Sequence, residues 1–272
     1  MAGKLGILAG GGVLPRLLVN ACRNNDRDVF ILAFEGHTPP ETPDGVEHAW
    51  VRLGAVGTAL ATLKNAGVQE IVLAGPIRRP SIVELRPDGV GLKLLAKAGA
   101  RAFGDDGLLR AIIGQLEDEG FTIVGIDDVL EGIKASTGPL GKYEPDTIAL
   151  EDVARGVEVL RHLGAADVGQ AVVVQQGIVL GVEAAEGTDG LIARCGALAR
   201  EGPGGVLIKL RKPGQEDRAD LPTIGTETVR QAHHAGIRGI AVEAGATLVI
   251  SAEAAIREAD EAGMFIIGIS VV

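Results

Sequence analysis

Short apolar runs alternate with amphipathic segments of helix length through the first half of the chain. A glycine turn or a polar stretch separates most of these runs from the helix that follows. Strands that alternate with helices in this way predict a parallel, doubly wound sheet over about residues 1–130. The predicted strands are residues 4–9, 28–33, 47–51, 70–74 and 121–126. One predicted helix begins at Leu14, and two others cover residues 56–65 and 108–119.

The second half also predicts a mixed α/β arrangement. Residues 171–175 and 178–183 are β-rich runs on either side of Gln176-Gly177, which is a hairpin signal. Thr147 is expected to cap a helix that runs to about Leu163, and Thr188 or Asp189 one that runs to Ala199. Further strands are predicted at 205–208, 237–242, 247–250 and 264–269, and further helices at 227–235 and 252–262.

The stretch from Lys134 to Pro145, KASTGPLGKYEP, interrupts both patterns and holds the only tyrosine. Its prolines and glycines favour an interdomain linker. We therefore predict a Rossmann-like nucleotide-binding domain over residues 1–133, a linker over 134–145 and a mixed α/β catalytic domain over 146–272.

Composition excludes several classes of function. The chain has 272 residues, 46% of them hydrophobic, with 40 glycines, which suits one large or two modest domains. A net charge of −10 and 3% aromatic residues argue against a nucleic-acid partner. The two cysteines, Cys22 and Cys195, are expected to be reduced and buried. With no apolar run long enough to span a bilayer, we expect a cytoplasmic protein with at most peripheral membrane contact.

A glycine turn follows the first predicted strand. Residues 10–12 are all glycine, and Leu14 then begins a helix with Pro15 in its first turn. Such a unit presents backbone N–H groups to an anion, and Glu35 ends the second strand where a ribose-binding acid would lie. Because Pro15 replaces the third glycine of the dinucleotide fingerprint, two interpretations stay open. The turn is either a site for a nucleotide or sugar nucleotide, or an ordinary βα turn with an exposed glutamate.

A second candidate follows the strand at residues 70–74. The chain continues through Gly75-Pro76 to Arg78-Arg79. Ligands of open parallel sheets collect beyond the carboxyl ends of the strands, so this arginine pair could contact phosphate or carboxylate. A solvated loop is the alternative. Asp105 or Asp106 is expected to cap the helix that follows.

The most informative stretch is residues 209–225, KLRKPGQEDRADLPTIG. Pro213-Gly214 and Pro222 rule out a continuous helix, so the segment is a loop. Carboxylates bind a hard divalent cation, whereas lysine and arginine bind phosphate oxygens. The alternative is a solvated loop with incidental ion pairs. A second acidic cluster precedes it, made of Glu183, Glu186 and Asp189. No serine, cysteine or histidine carries a local pattern for covalent catalysis.

Seven motifs together resemble one family along nearly the whole chain, the UDP-2,3-diacylglucosamine pyrophosphatases of the non-calcineurin type. The motifs are LGILAGGGVLP, GDDGLLRAI, DVGQAVVVQQG, VEAAEGTDG, GGVLIKL, KPGQEDRADLPTIG and GIAVEAG. The family pattern leads us to expect Gln-Asp where this chain has Gln215-Glu216, so either Glu216 or Asp217 takes the family acid role. Asp220 matches the family pattern.

The resemblance implies magnesium-dependent hydrolysis of UDP-2,3-diacylglucosamine to UMP and 2,3-diacylglucosamine 1-phosphate in lipid A biosynthesis, with Mn²⁺ as a possible substitute. It also implies two domains with the substrate between them, in a cytoplasmic or membrane-peripheral protein. We further expect a homodimer. A non-catalytic sugar-nucleotide sensor and a nucleotide-dependent oxidoreductase are the alternatives.

Residues and resemblance together give three predicted groups. The predicted catalytic residues are Asp220, Asp217, Arg218, Lys209 and Gln215. The predicted substrate-binding residues are Gly10, Gly11, Gly12, Leu14, Glu35, Gly75, Arg78, Arg79, Lys212, Thr188 and Gly187. The predicted metal ligands are Asp220, Asp217, Glu183, Glu186 and Asp189.

Overall fold

A computed structural model describes residues 3–78, 81–98 and 105–271. The chain divides into two compact units. The first contains Met1–Glu131 together with the short segment Glu216–Asp220, and the second contains Gly132–Gln215 and Leu221–Val272. Among the described residues, no helix combines the length and the apolar character needed to cross a bilayer.

The first unit contains a five-stranded sheet in the order β3-β2-β1-β4-β5, and all of its strands are parallel. This confirms the predicted parallel sheet. The strands are β1 (Leu5–Ala9), β2 (Val29–Phe34), β3 (Glu47–Val51), β4 (Glu70–Ala74) and β5 (Thr122–Ile123). The helices are α1 (Leu14–Asn24), α2 (Val56–Asn65), α3 (Ile82–Leu85), α4 (Gly89–Ala98), α5 (Asp105–Asp118) and α6 (Ile126–Val129).

The apolar runs form strands because they fill the centre of this sheet. Every residue of β1 is buried, as is typical of a parallel strand that is covered on both faces. Leu60 and Leu63 of α2 and Ile113 and Leu116 of α5 belong to the same buried cluster as Phe30 of β2. The apolar faces of the predicted helices therefore pack in the same core as the sheet.

Two predictions for this unit need correction. The strand expected over residues 121–126 is only Thr122–Ile123, because helix α6 begins at Ile126. The N–H of Gly125, at the N-cap position of α6, donates to Asp128 Oδ2 at 2.7 Å. Helices α3 and α4 were not predicted from the sequence. The helix expected from Leu108 begins at Asp105, and the predicted cap by Asp105 or Asp106 concerns side chains outside the described part of the chain.

The second unit holds a six-stranded mixed sheet and a parallel pair of strands. Its strands are β6 (Gly138–Pro139), β7 (Ala171–Gln175), β8 (Ile178–Val182), β9 (Val206–Lys209), β10 (Thr223–Gly225), β11 (Gly239–Glu243), β12 (Leu248–Ile250) and β13 (Phe265–Ile269). The sheet order is β6-β13-β11-β9-β7-β8, and β10 pairs with β12. Strands β9, β11 and β13 are parallel, whereas β7 is antiparallel to both of its neighbours. The predicted mixed α/β character is confirmed.

The helices of this unit are α7 (Thr147–Ala165), α8 (Gly187–Gly196), α9 (Thr226–His234) and α10 (Ala252–Glu261). Asp146, not Thr147, caps α7, because its Oδ1 accepts the N–H of Ala149 at 2.8 Å. Neither Thr188 nor Asp189 caps α8: both lie inside the helix, which ends at Gly196 rather than at Ala199. The prediction failed because the hydroxyl of Thr188 makes a tertiary contact instead.

The predicted hairpin at Gln176-Gly177 is confirmed, and a helix holds it in place. Both residues have positive φ, as a two-residue hairpin turn with the favoured twist requires. Their two N–H groups donate to the buried Asp152 of α7 at 3.1 and 2.7 Å. This contact fixes the end of β7, the strand that lies beside β9.

Candidate active site

The glycine turn after β1 packs directly on the turn after β4. The N–H of Gly10 donates to Ala74 O at 2.7 Å, and that of Gly11 donates to Pro76 O at 2.9 Å. A Cβ atom on Gly10 would lie 2.4 Å from Gly75 O, and one on Gly75 would lie 2.1 Å from Gly11 O. Only glycine fits at these two positions, so the predicted substrate residues Gly10 and Gly75 have a structural role in joining the turns.

The amino end of α1 lies immediately beyond this junction. Gly12 has φ +76°, Pro15 lies in the first turn as expected, and Val13 at the N-cap position makes no side-chain capping hydrogen bond. The first turn of α1 has no acidic residue. Because the N–H groups of Gly10 and Gly11 are engaged within the protein, the backbone around Gly12 and Leu14 is the better candidate for an anion contact.

Two neighbouring strand ends complete this edge of the first unit. Glu35 follows β2 and is exposed. The buried Thr38 accepts the N–H of Phe34 at 2.8 Å and donates to Ala9 O, which ties the loop after β2 to the end of β1. Arg78 follows β4, is exposed and lies 3.9 Å from Glu84, whereas Arg79 lies outside the described residues. The parallel sheet thus places Glu35 and the glycine turn at the same edge.

Two acids of the first unit hold Arg218. Its Nε donates to Glu216 Oε1 at 2.8 Å, and its Nη1 donates to Glu117 Oε1 of α5 at 2.7 Å. The hydrogen bond from Arg218 holds the pKa of the Glu216 carboxyl below its ordinary value, and the same contacts raise the pKa of Arg218. The predicted catalytic cation therefore already has two carboxylate partners.

The rest of this short segment forms a turn. The N–H groups of Ala219 and Asp220 both donate to Glu216 O, at 3.1 and 3.0 Å, and Ala219 packs against the core of the first unit. Glu216 is thus engaged through its backbone as well as through its carboxylate. The turn fixes the backbone position of Asp220, the acid that matches the family motif.

A hydrogen-bonded chain with two buried charged residues lies in the second unit. Lys209 ends β9, is only 7% exposed, and its Nζ donates to Thr188 Oγ1 at 2.9 Å and to Thr223 O at 3.0 Å. Thr188 donates in turn to Glu183 Oε1 at 2.6 Å. The other oxygen of Glu183 accepts the N–H of Gln170 at 2.9 Å. The structure thus brings together a predicted catalytic, a predicted substrate-binding and a predicted metal-binding residue.

The other two acids of the second cluster do not join this chain. Glu186 pairs with Arg194 at 2.8 Å, and Asp189 is exposed in the first turn of α8, which begins at Gly187. Within the part of the chain that the structure describes, no three His, Cys, Asp or Glu side chains form a group that could hold a metal ion. The second acidic cluster therefore does not form a metal site built from its own three carboxylates.

Lys212 and Gln215 belong to the same loop and support each other. Lys212 pairs with Asp167 at 2.6 Å, and its N–H donates to Gln215 Oε1 at 2.9 Å. Gln215 is buried and its Nε2 donates to Gln170 Oε1 at 3.4 Å. The loop borders a cavity of about 220 Å³, whose charged lining residues are Arg161, Arg211, Lys212 and Glu243. Gln215 thus shapes the loop rather than projecting from it.

Three residues that build these arrangements carry no local signal in the sequence. Glu117 contacts a residue 101 positions away, Thr38 one 29 positions away, and Gln170 one 45 positions away. Their side chains are ordinary for a helix or a loop. Only the tertiary fold identifies them.

Comparison with known proteins gives a consistent result over both units. Residues 4–133 match the family model described as the LpxI N-terminal domain, and residues 136–267 match the LpxI C-terminal domain. A curated relative, the UDP-2,3-diacylglucosamine pyrophosphatase LpxI of Caulobacter vibrioides, is 39% identical over 274 residues, which cover 98% of this chain and 97% of the relative.

Similarity to solved structures is much weaker. An N5-carboxyaminoimidazole synthase from Aspergillus clavatus aligns with 68% of this chain and 42% of its own, at 12% identity and a TM-score of 0.27. A carboxyaminoimidazole ribonucleotide synthase from the same organism aligns at 14% identity and a TM-score of 0.25, over 72% of this chain and 44% of its own. Neither similarity bears on the function.

Proposed function

This chain belongs to the LpxI family, and we propose that it hydrolyses the pyrophosphate bond of UDP-2,3-diacylglucosamine, releasing UMP and 2,3-diacylglucosamine 1-phosphate for lipid A biosynthesis. The observation that carries the proposal is the 39% identity to a curated enzyme of that name over 98% of the chain. The two family models, over residues 4–133 and 136–267, span every motif that the sequence offers for phosphate chemistry.

The first unit would bind the nucleotide part of the substrate. The open amino end of α1 offers backbone N–H groups and a positive dipole end to a phosphate oxygen. Glu35 lies at the same sheet edge, where it can accept hydrogen bonds from a ribose. Arg78 is exposed near the end of β4 and can pair with a phosphate.

The charged loop would carry the chemistry. Asp220 is the candidate for activating water, because its backbone is fixed by the turn at Glu216. Glu216 is engaged with Arg218, and either Glu216 or Asp217 takes the family acid role. Lys209 and Lys212 would stabilise the negative charge that develops on the phosphate oxygens, and Arg218 would orient the turn.

Magnesium fits this loop only as an ion shared with the substrate. The described residues form no three-ligand group, but Mg²⁺ is commonly held by one or two carboxylates together with substrate phosphate oxygens. Asp217 and Asp220 supply such hard oxygen ligands, and Mn²⁺ could take the same place. When bound, the ion would neutralise pyrophosphate charge and acidify a water molecule. We make no such proposal for Glu183, Glu186 or Asp189.

The substrate also suggests where the protein works. A substrate with two acyl chains partitions into membranes, so we propose a cytoplasmic protein that touches the inner face of the inner membrane transiently. The homodimer stays a prediction, which sedimentation or light scattering would test.

The direct test incubates the purified protein with UDP-2,3-diacylglucosamine and Mg²⁺ and measures UMP by chromatography. We expect UMP and the lipid 1-phosphate in equal amounts, formed at least about a hundredfold more slowly by an Asp220→Ala preparation. Saturable binding without turnover would instead indicate a sensor. Thermal protection by NAD(H) without UMP release would indicate an oxidoreductase. Repeating the reaction in ¹⁸O-water identifies the phosphorus that is attacked, since the label enters only one product.

A further inference from the structure

Lys209 is a buried cation whose position is set by three separate segments of the second unit. Its ammonium group ends β9 and donates to the Thr188 hydroxyl of α8 and to the Thr223 carbonyl of β10. A charge with 7% exposure is costly unless polar groups compensate it. A surface lysine that only guided the substrate would not need this surrounding.

The direction of the hydrogen bonds follows from the two charged ends. An ammonium group can only donate and a carboxylate can only accept, so the Thr188 hydroxyl must accept from Lys209 and donate to Glu183. Glu183 is itself buried and is fixed from the other side by the N–H of Gln170. The hydroxyl of Thr188 therefore has one orientation, and Lys209 has one position.

We infer that Thr188 is a positioning residue for Lys209, and that Glu183 acts through Thr188 rather than as a metal ligand. This inference rests on the proposed function. It explains how the ammonium group of Lys209 is held in position to contact the substrate phosphate. Without the hydroxyl, the ammonium group loses an acceptor and Glu183 loses a donor. Both charged groups stay buried, so Lys209 would move away from the position that the reaction requires.

The test compares Thr188→Val, which removes the hydroxyl at nearly constant volume, with Thr188→Ser, which keeps it. Loss of a partly buried hydrogen bond to a charged group should lower kcat about ten- to a hundred-fold in Thr188→Val. We expect KM to change by less than about threefold, and Thr188→Ser to keep most of the wild-type kcat. A wild-type kcat in Thr188→Val, or an equal loss in Thr188→Ser, would overturn the inference.

A double-mutant cycle with Lys209→Met separates positioning from general damage. If Thr188 acts only through Lys209, adding Thr188→Val to Lys209→Met should lower kcat no further. Losses that simply multiply would contradict the inference. Glu158→Gln, in an exposed pair of α7 with Arg155, is the matched carboxylate control and should keep wild-type activity.

Two further outcomes have distinct meanings. A folded wild-type protein that releases no UMP would refute the proposed function. The inference about Thr188 fails if wild type is active and either Thr188→Val keeps the wild-type kcat or Thr188→Ser loses as much kcat as Thr188→Val. If Thr188→Val does not fold, Thr188→Ala makes the same comparison with less bulk. Coupling between positions 188 and 209 in thermal unfolding then provides a measurement that needs no substrate.

Discussion

Arg218 lies 2.7 Å from Glu117, although 101 residues separate them along the chain. The contact belongs to the first unit, which takes the segment Glu216–Asp220 from the second half of the sequence. Glu216 binds the same guanidinium group, so two carboxylates share one cation. Arg218 thus ties the segment Glu216–Asp220 to helix α5.

The first prediction concerns acid stability. The hydrogen bond from Arg218 lowers the pKa of Glu216 below its ordinary value of 4.5. A depressed folded-state pKa stabilises the protein above the unfolded-state pKa, and that stability is lost as pH falls through the folded-state value. Wild type should therefore resist urea better than Glu216→Gln at pH 7, and this advantage should shrink below about pH 4.5.

Glu158→Gln is the control for this series, because its partner Arg155 is an exposed neighbour on the same helix. It should change the urea midpoint little at any pH. An advantage of wild type over Glu216→Gln that stays constant from pH 7 to about pH 3 would show that the carboxyl proton is not involved.

The second prediction separates two glycines of one turn. A Cβ atom on Gly11 would lie 3.5 Å from Pro76 O and 3.6 Å from His37 O, which are ordinary contacts, whereas one on Gly10 would clash with Gly75 O. Gly11→Ala should keep the wild-type melting temperature and Gly10→Ala should lower it. Gly11→Val should raise KM and weaken inhibition by UMP, if the substrate approaches this backbone. If KM and the inhibition by UMP are unchanged in a folded Gly11→Val protein, the glycine turn has only a structural role.

The third prediction concerns Asp220→Ala. Removing a group that activates water should lower kcat by about two to four orders of magnitude, with little change in substrate affinity. The variant should stay folded and hold intact substrate that wild type turns over. Asp44→Ala, at an exposed position, is the control and should be fully active. If folded Asp220→Ala keeps more than about a tenth of wild-type kcat, water is activated elsewhere and Asp217 is tested next.

The fourth prediction concerns the metal. Hydrolysis should stop in excess EDTA and return when Mg²⁺ or Mn²⁺ is added, because hard carboxylate ligands prefer these ions to zinc. Because the ion is proposed to be shared with the substrate, EDTA should leave the melting temperature of the free protein unchanged. Full turnover in EDTA would contradict the proposal.

The sequence predicts regular elements of the fold well wherever a short apolar run has polar limits. Helix α2 and strands β3 and β4 have the predicted bounds to the residue. Strand β5 was predicted to reach Ile126 because the apolar pattern continues that far. It ends earlier because helix α6 begins at Ile126, where the Asp128 carboxylate accepts the N–H of Gly125. Helix α4 has glycine at two of its first three positions, which hides it from propensity arguments.

The candidate site was less accessible from the sequence. Its residue types could be predicted, since a loop with alternating acids and bases is visible by inspection. The partners of these residues could not be predicted. The hydroxyl of Thr188, for example, can either cap its own helix or contact Lys209, and in the structure it contacts Lys209. Charge alone also did not distinguish Glu183, which is buried in a hydrogen-bonded chain, from Glu186, which pairs with Arg194.

The inclusion of Glu216–Asp220 in the first unit has a consequence for protein synthesis. A chain growing on the ribosome has made both the sheet and α5 long before residue 220 emerges. Until then Glu117 lacks the Arg218 contact and the apolar neighbour Ala219 is absent from the core. Although domains usually fold in order from the amino terminus, this one is completed only after most of the second unit has been translated. A fragment expressed as residues 1–133 would therefore regain its missing contacts only when the segment 216–220 is supplied as a separate peptide.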